Sequence, residues 1–208
     1  MTDTDIRAAI AAERRDLAAV LADLPEPDWD APTLCAGWRV REVVAHMTMP
    51  FRYSVPRVVL GLVRAGGNFN RMADRSARRD AASLTSAELL AALADNVDHP
   101  WKPPGGGFAG ALSHDVIHGL DITVALGVDR RVPAERIRVV LGGLAASRSY
   151  FGVDLDGTRL VADDLDWTFG DGAEIHAHAQ DLLLLVCGRR LPPGRLHGER
   201  AARFSAAR

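Results

Sequence analysis

A succession of apolar stripes with helical spacing is the feature that most constrains how this chain folds. In the first segment, residues 4–24, the apolar positions Ile6, Ile10 and Leu17 share one helical face, and the prolines of LPEPDWDAP end the pattern. Similar stripes follow along the chain, and a helix that is apolar on one side needs a neighbour to cover that side. The sequence therefore predicts a helical bundle over residues 1–148.

Loops rich in proline and glycine separate the predicted helices. Pro50 and Pro56 are expected to break or kink the helical run in which they stand. The TSAE stretch that starts at Thr85 has the form of a capping box, which opens a helix. Further predicted helices start near residue 38 and span residues 69–81, 109–126 and 134–147.

The pattern changes after Tyr150. The stretch GTRLVADDLDWTFGDGAEIHA contains short β-branched and apolar pieces separated by glycine and aspartate, which predicts two or three strands. HAQDLLLLVCG then indicates a buried helix that ends at Gly188. The predicted fold class is mainly α: a four-helix bundle with extra helices over residues 1–148, followed by a small C-terminal α+β region over residues 149–208.

Composition and charge exclude several classes of protein. A formal net charge of -2 gives no reason to expect nucleic acid or an anionic membrane as a partner. No apolar run approaches the length of a membrane span, and the polar N-terminus shows no secretory signal. The two cysteines, Cys35 and Cys187, are far apart and suit a reducing compartment. We therefore expect a cytoplasmic protein.

Three histidines stand at positions where helices can present them to a common interior. In LSHDVIHGLDI, His114, His118 and Asp121 form one ridge beside the buried stripe of their helix. His46 stands beside the apolar face of another predicted helix. Three protein ligands and an open fourth position are the pattern of catalytic zinc sites. The alternative is that the histidines are hydrogen-bonding core residues that bind no metal, because sequence alone does not show the two helices facing each other.

Five motifs resemble one known family. They are TLCAGWRVREVVAHM, GNFNRMADRSARR, HDVIHGLDI, LVADDLDWTFGDGAEI and LLLLVCGR. On these motifs the chain resembles, from end to end, the mycothiol-dependent maleylpyruvate isomerase-like family, a branch of the DinB-like helical bundle superfamily. The resemblance implies a DinB-like four-helix bundle that holds a divalent metal at His46, His114 and His118. The implied metal is Zn²⁺, with Ni²⁺ or Fe²⁺ as alternatives.

The chain departs from the family pattern at one implied ligand. The characterised isomerase branch has glutamate where His114 stands. Three neutral imidazoles leave the full charge on the metal, so a bound water or thiol should lose its proton more readily than beside a carboxylate ligand. The substrate therefore need not be that of the resembling isomerases.

Three further residues are candidates for the same site, and two of them, Asp121 and Arg189, are predicted as catalytic residues. Asp121 is expected to orient a ligand imidazole, and its alternative is a solvated or helix-capping carboxylate. Arg189 is the candidate for binding an acid substrate, and its alternative is a surface residue that complements a helix end. Cys35 or Asp121 could close the fourth metal position, although a buried structural cysteine is the more common case.

Two classes of function follow. The first is a metal-dependent thiol transferase or isomerase, in which the metal stabilises a thiolate that attacks a small electrophile. That the thiol is mycothiol is implied only by the resemblance. The second is a non-catalytic metal-binding module with a structural or sensing role, in which the C-terminal region serves a partner or a homodimer contact. An open fourth position argues for the first class and a closed one for the second.

Overall fold

A computed structural model describes residues 1–145 and 153–206 of the chain. Within these residues the fold is mainly helical, with eight α-helices and a three-stranded sheet near the C-terminus. The predicted fold class, a helical N-terminal part followed by a small α+β region, is confirmed. The chain divides into two compact units, Met1–His118 and Gly119–Arg208. The predicted boundary between residues 148 and 149 lies outside the described residues, and so does the predicted end of the helix at residue 147.

The first unit is built from helices. Their bounds are α1 Asp3–Ala22, α2 Val40–Arg52, α3 Val55–Arg64, α4 Phe69–Ser83, α5 Ser86–Ala94 and α6 Gly107–Ala125. A short 3₁₀ helix, Glu26–Asp30, follows α1. The division between the two units falls inside α6.

Local sequence signals explain where several of these helices begin and end. The predicted capping box at Thr85 is present: its hydroxyl accepts from the backbone of Glu88, and the Glu88 carboxylate accepts from the backbone of Thr85. Pro50 does not end α2 at once, because the helix continues for two residues beyond it. Pro56 lies in the first turn of α3, where its missing N–H leaves no hydrogen bond unmade.

The core of the first unit lies where α2 packs against α4 and α5, and where α1 packs against α5. Small residues on α4, among them Ala73 and Ala77, are buried and allow α2 to approach closely. The buried set also includes charged residues of α1, Glu13 and Arg14, which are fully inaccessible. The large apolar side chains of this core are Leu17, Leu21, Val43, Val44, Met47, Leu89 and Leu93.

The second unit contains the sheet, with β1 Thr158–Ala162, β2 Thr168–Gly170 and β3 Ala173–Ala177. β1 is central, antiparallel to β2 and parallel to β3. β2 and β3 therefore lie on opposite sides of β1, and the two residues that connect them, 171 and 172, must cross the end of β1. Gly172 has a φ of +125°, and a Cβ atom there would lie 2.3 Å from the carbonyl carbon of Gly157, so only glycine fits.

Two helices complete the second unit, α7 Ala134–Ala145 and α8 Ala179–Val186. α8 packs against α7 and β1, and its four consecutive leucines, residues 182–185, are buried. A positive φ of 77° at Gly188 follows the end of α8, as predicted from the sequence. No helix among the described residues has both the length and the apolar character needed to cross a membrane.

Candidate metal centre

Three imidazoles converge inside the first unit. His46 comes from α2, while His114 and His118 stand one turn apart on α6. Their ring centroids are 4.9 to 5.1 Å apart, and one nitrogen of each ring lies within 4.8 Å of the other two. All three side chains are half-buried. The structure therefore brings together the trio that the sequence predicted as metal ligands.

The separation of two of these nitrogens fits a shared ion. Nε2 of His46 lies 3.2 Å from Nε2 of His114. Two nitrogens bound tetrahedrally to one Zn²⁺ at about 2.0–2.1 Å would be about 3.3–3.4 Å apart. The same distance also suits a hydrogen bond between the rings when one of the two nitrogens carries a proton. The geometry fits a metal without requiring one.

The second ring nitrogen of His114 favours the metal-binding tautomer. Nδ1 of His114 lies 3.0 Å from Oδ1 of Asp115, and only a protonated Nδ1 can form that hydrogen bond with a carboxylate. In the neutral ring this leaves the lone pair of Nε2 directed at the other imidazoles. Carboxylate, histidine and metal form this same chain in many metal sites. Sequence reasoning missed Asp115, although it is the immediate neighbour of His114.

A buried arginine holds Asp115 in turn. Nε of Arg14 donates to Oδ2 of Asp115 at 2.7 Å, and the two side chains are 0% and 2% exposed. Nη1 of Arg14 also donates to the carbonyls of three residues in the loop after α5, at 3.3, 3.3 and 2.9 Å. The ring of Trp101, further along that loop, lies 5.2 Å from the ring of His114. Arg14 therefore connects α1, this loop and the candidate ligand.

His46 lies in a less polar environment. Burial, and then the neighbouring His118 and His114, hold the pKa of His46 well below its ordinary value, so the ring is neutral at physiological pH. Its Nδ1 is buried and has no hydrogen-bond partner among the described residues. The Trp38 ring lies 5.1 Å from the His46 ring, and its Nε1 donates to Asp74 at 2.8 Å. A neutral, desolvated imidazole suits a metal ligand.

The two residues predicted as catalytic, Asp121 and Arg189, meet in the second unit. Nε and Nη2 of Arg189 donate to the two carboxylate oxygens of Asp121, each at 2.8 Å. Asp121 is fully buried, and the Arg189 side chain is 19% exposed. Nη1 of Arg189 also donates to the carbonyl of Cys187 at 3.2 Å. Arg189 is therefore part of a bidentate ion pair, and the catalytic roles of both residues stay predictions.

The two cysteines differ in their surroundings. Burial raises the pKa of the Cys187 thiol to about 12, Asp121 also raises it, and Arg189 opposes this shift. Cys35 is half-buried in the loop before α2, and its backbone N–H donates to the hydroxyl of Thr33. The prediction that Cys35 or Asp121 closes the fourth metal position stays a prediction.

Comparison with known proteins agrees with this architecture. Residues 10–100 match the family described as the mycothiol maleylpyruvate isomerase N-terminal domain. Two curated relatives from Mycobacterium tuberculosis are the uncharacterized protein MT0041 of strain CDC 1551 / Oshkosh and the uncharacterized protein Rv0036c of strain ATCC 25618 / H37Rv. Each is 27% identical over 226 aligned residues, which cover 88% of this chain and 84% of the relative.

Solved structures share the fold over nearly the whole chain. The crystal structure of the mycothiol-dependent maleylpyruvate isomerase has a TM-score of 0.56 and 12% identity, covering 97% of this chain and 94% of that one. A histidine-to-alanine mutant of the same enzyme gives a TM-score of 0.56 at 11% identity with the same coverage. The chain therefore has the fold of the mycothiol-dependent maleylpyruvate isomerase, and its residues 10–100 are similar to the N-terminal domain family of that enzyme.

Proposed function

We propose that this protein is a metal-dependent thiol transferase or isomerase that uses mycothiol or a similar small thiol. The observation that carries the proposal is the convergence of His46, His114 and His118 in a chain whose residues 10–100 match the mycothiol maleylpyruvate isomerase N-terminal domain. Zn²⁺ is the proposed metal because an all-nitrogen set of three imidazoles suits it, with Ni²⁺ and Fe²⁺ as alternatives. The proposed substrate is a small electrophile.

The proposed division of roles follows from the contacts. The three imidazoles hold the ion, and Asp115 keeps the Nε2 lone pair of His114 directed at it. A divalent ion with three protein ligands and an open fourth position supplies stabilisation of a thiolate at neutral pH. Trp38 and Trp101 lie against the rings of His46 and His114 and limit the access of water to them.

Arg189 and Asp121 are the proposed catalytic pair. Arginine binds carboxylates well when its guanidinium is held in one orientation, and the bidentate contact with Asp121 provides that orientation. If Arg189 binds an acid substrate, Arg189→Lys should raise KM for acidic electrophiles and leave KM for neutral ones unchanged. An equal loss with both kinds of substrate would assign the pair a structural role instead.

The first experiment is the metal content of the purified protein by elemental mass spectrometry. We expect about one metal ion per chain in the wild type, and loss of that ion in His46→Ala and His118→Ala. His197→Ala is the matched control, because its side chain is exposed and belongs to the second unit. A wild type that stays empty after incubation with Zn²⁺, Ni²⁺ and Fe²⁺ would contradict the proposal and leave the histidines as hydrogen-bonded core residues.

The second experiment separates catalysis from mere metal binding. Metal-loaded wild type is incubated with mycothiol and a chromogenic electrophile, and thiol conjugation is followed against the metal-free protein. Metal-dependent turnover supports the transferase or isomerase. Stoichiometric metal without turnover for any electrophile of a panel supports the alternative, a non-catalytic metal-binding module. A cytoplasmic location and a homodimer remain separate predictions.

A further inference from the structure

Helix α3 presents an apolar face to solvent. Val55, Val59, Leu60 and Val63 are 76%, 53%, 48% and 70% exposed, and Phe69 at the start of α4 is 53% exposed. Among the residues that the structure describes, Met1 is the only other large hydrophobic side chain with comparable exposure. Clustered exposure of this kind marks an interaction surface, whereas isolated exposed hydrophobics are common.

The packing of α3 directs this face outward. Gly61 lies on the inner side of the helix, where a Cβ atom would be 3.1 Å from Cγ of Met72 on α4. At about 100° per residue, Val59 and Val63 point in the direction opposite to Gly61. The helix is thus anchored to α4 along one side and carries its apolar residues on the other.

The chain around this face is strongly basic. Residues 52–80 contain seven arginines and two acidic residues, Asp74 and Asp80, a formal charge of +5 in a chain whose net charge is -2. Asp74 pairs with Arg78, and Asp80 pairs with the other three arginines that form ion pairs here, Arg52, Arg57 and Arg79. Arg64, Arg71 and Arg75 are exposed and form no ion pair with an acid among the described residues. The net charge of the whole chain is an average, so it does not show this local excess of basic residues. For that reason it gave no indication of an anionic membrane as a partner.

We propose that α3 and the start of α4 form a docking surface for an anionic lipid membrane. Val55, Val59 and Val63 would enter the boundary between headgroups and acyl chains, while Arg64 and Arg75 contact lipid phosphates. An apolar face flanked by arginines has the form of an interfacial amphipathic helix. A two-fold contact with a second copy would instead bring two basic surfaces together, which charge repulsion disfavours. This inference is independent of the proposed metal chemistry.

The test is cosedimentation of the full chain with large unilamellar vesicles. We expect binding to vesicles that contain phosphatidylglycerol, weaker binding at high salt, and none to pure phosphatidylcholine. Arg64→Gln/Arg75→Gln should weaken binding about tenfold or more, since each basic residue near an anionic surface contributes about 1 kcal/mol. Val59→Glu/Val63→Glu should weaken it about tenfold or more as well, because it replaces the apolar face with negative charge. All substituted side chains are exposed, and circular dichroism verifies that the variants fold.

A matched control separates this surface from general charge. Ala87→Glu/Ala91→Glu adds the same charge at the same four-residue spacing on exposed positions of α5, and should leave binding unchanged. Failure of the wild type to bind phosphatidylglycerol vesicles, or equal loss in the control, would overturn the proposal. A dimer in light scattering that Val59→Glu/Val63→Glu dissociates, without vesicle binding, would assign the surface to a second copy.

Discussion

The buried pair of Arg14 and Asp115 gives the sharpest test of how this protein supports the proposed metal ligand His114. One oxygen of Asp115 accepts from His114 and the other accepts from Arg14. In Asp115→Asn, an amide that keeps its oxygen toward His114 turns its NH₂ toward Nε of Arg14, which is also a donor. The substitution therefore weakens the support of His114 and leaves the Arg14 charge without its carboxylate.

The two effects have different sizes and different readouts. Loss of a contact that orients a metal-ligating histidine lowers metal affinity about 10–100-fold, or about 1.4–2.7 kcal/mol. Loss of one partner of a buried ion pair costs about 3–5 kcal/mol of folding stability. Arg14→Met is the matched variant: it breaks the same ion pair but leaves the Asp115 carboxylate beside His114. We expect similar destabilisation in the two variants and a large loss of affinity only in Asp115→Asn.

The measurements are urea unfolding of the metal-free proteins and Zn²⁺ affinity by competition with a chromophoric chelator. Affinity is measured at low temperature, where near-UV circular dichroism verifies that both variants remain folded. Equal Zn²⁺ affinities in Asp115→Asn and wild type would refute the role assigned to Asp115. Equal losses of affinity in the two variants would show that folding stability, and not the orientation of His114, governs binding.

Two further predictions concern the second unit. Burial raises the pKa of the Cys187 thiol from 9.0 to about 12, so this thiol should carry about a thousandfold less thiolate below pH 9 than an ordinary cysteine. Alkylation followed by mass spectrometry should therefore modify the half-buried Cys35 first. Rapid labelling of Cys187 in the folded protein would contradict its burial. Gly172→Ala should destabilise the second unit by at least about 2 kcal/mol, because the added Cβ would lie 2.3 Å from Gly157. Gly194 is also at positive φ but has no heavy atom within 4 Å of an added Cβ, so Gly194→Ala should cost about 1 kcal/mol. Equal Tm shifts for the two variants would contradict the steric explanation.

The helices and the ligand trio could be predicted because their signals are local. The spacing of His114 and His118 fixes them on one face of α6, His46 stands beside the apolar face of its own helix, and the resemblance joins the three as one ligand set. The structure confirms that the three side chains meet. The strand order of the sheet could not be predicted from the sequence, because an alternating pattern predicts strands but not which strands pair with each other.

The support behind the site was missed because it joins residues far apart in the chain. Asp115 and Arg14 are separated by 101 positions. A signal was nevertheless present in α1: Arg14 stands between Ile10 and Leu17 on the helical stripe that predicts burial. A charged residue at such a position requires a buried partner, and the acid beside His114 was a candidate for it.

The position of Arg14 also couples the stability of the first helix to the candidate metal site. Its guanidinium bridges α1, the loop that carries Trp101 and the carboxylate behind His114. Any ligand that favours the ordered arrangement of His114 also favours the docked state of α1, and the coupling is reciprocal. If the three histidines bind an ion as proposed, substitutions on α1 that touch no ligand should therefore change the affinity for it.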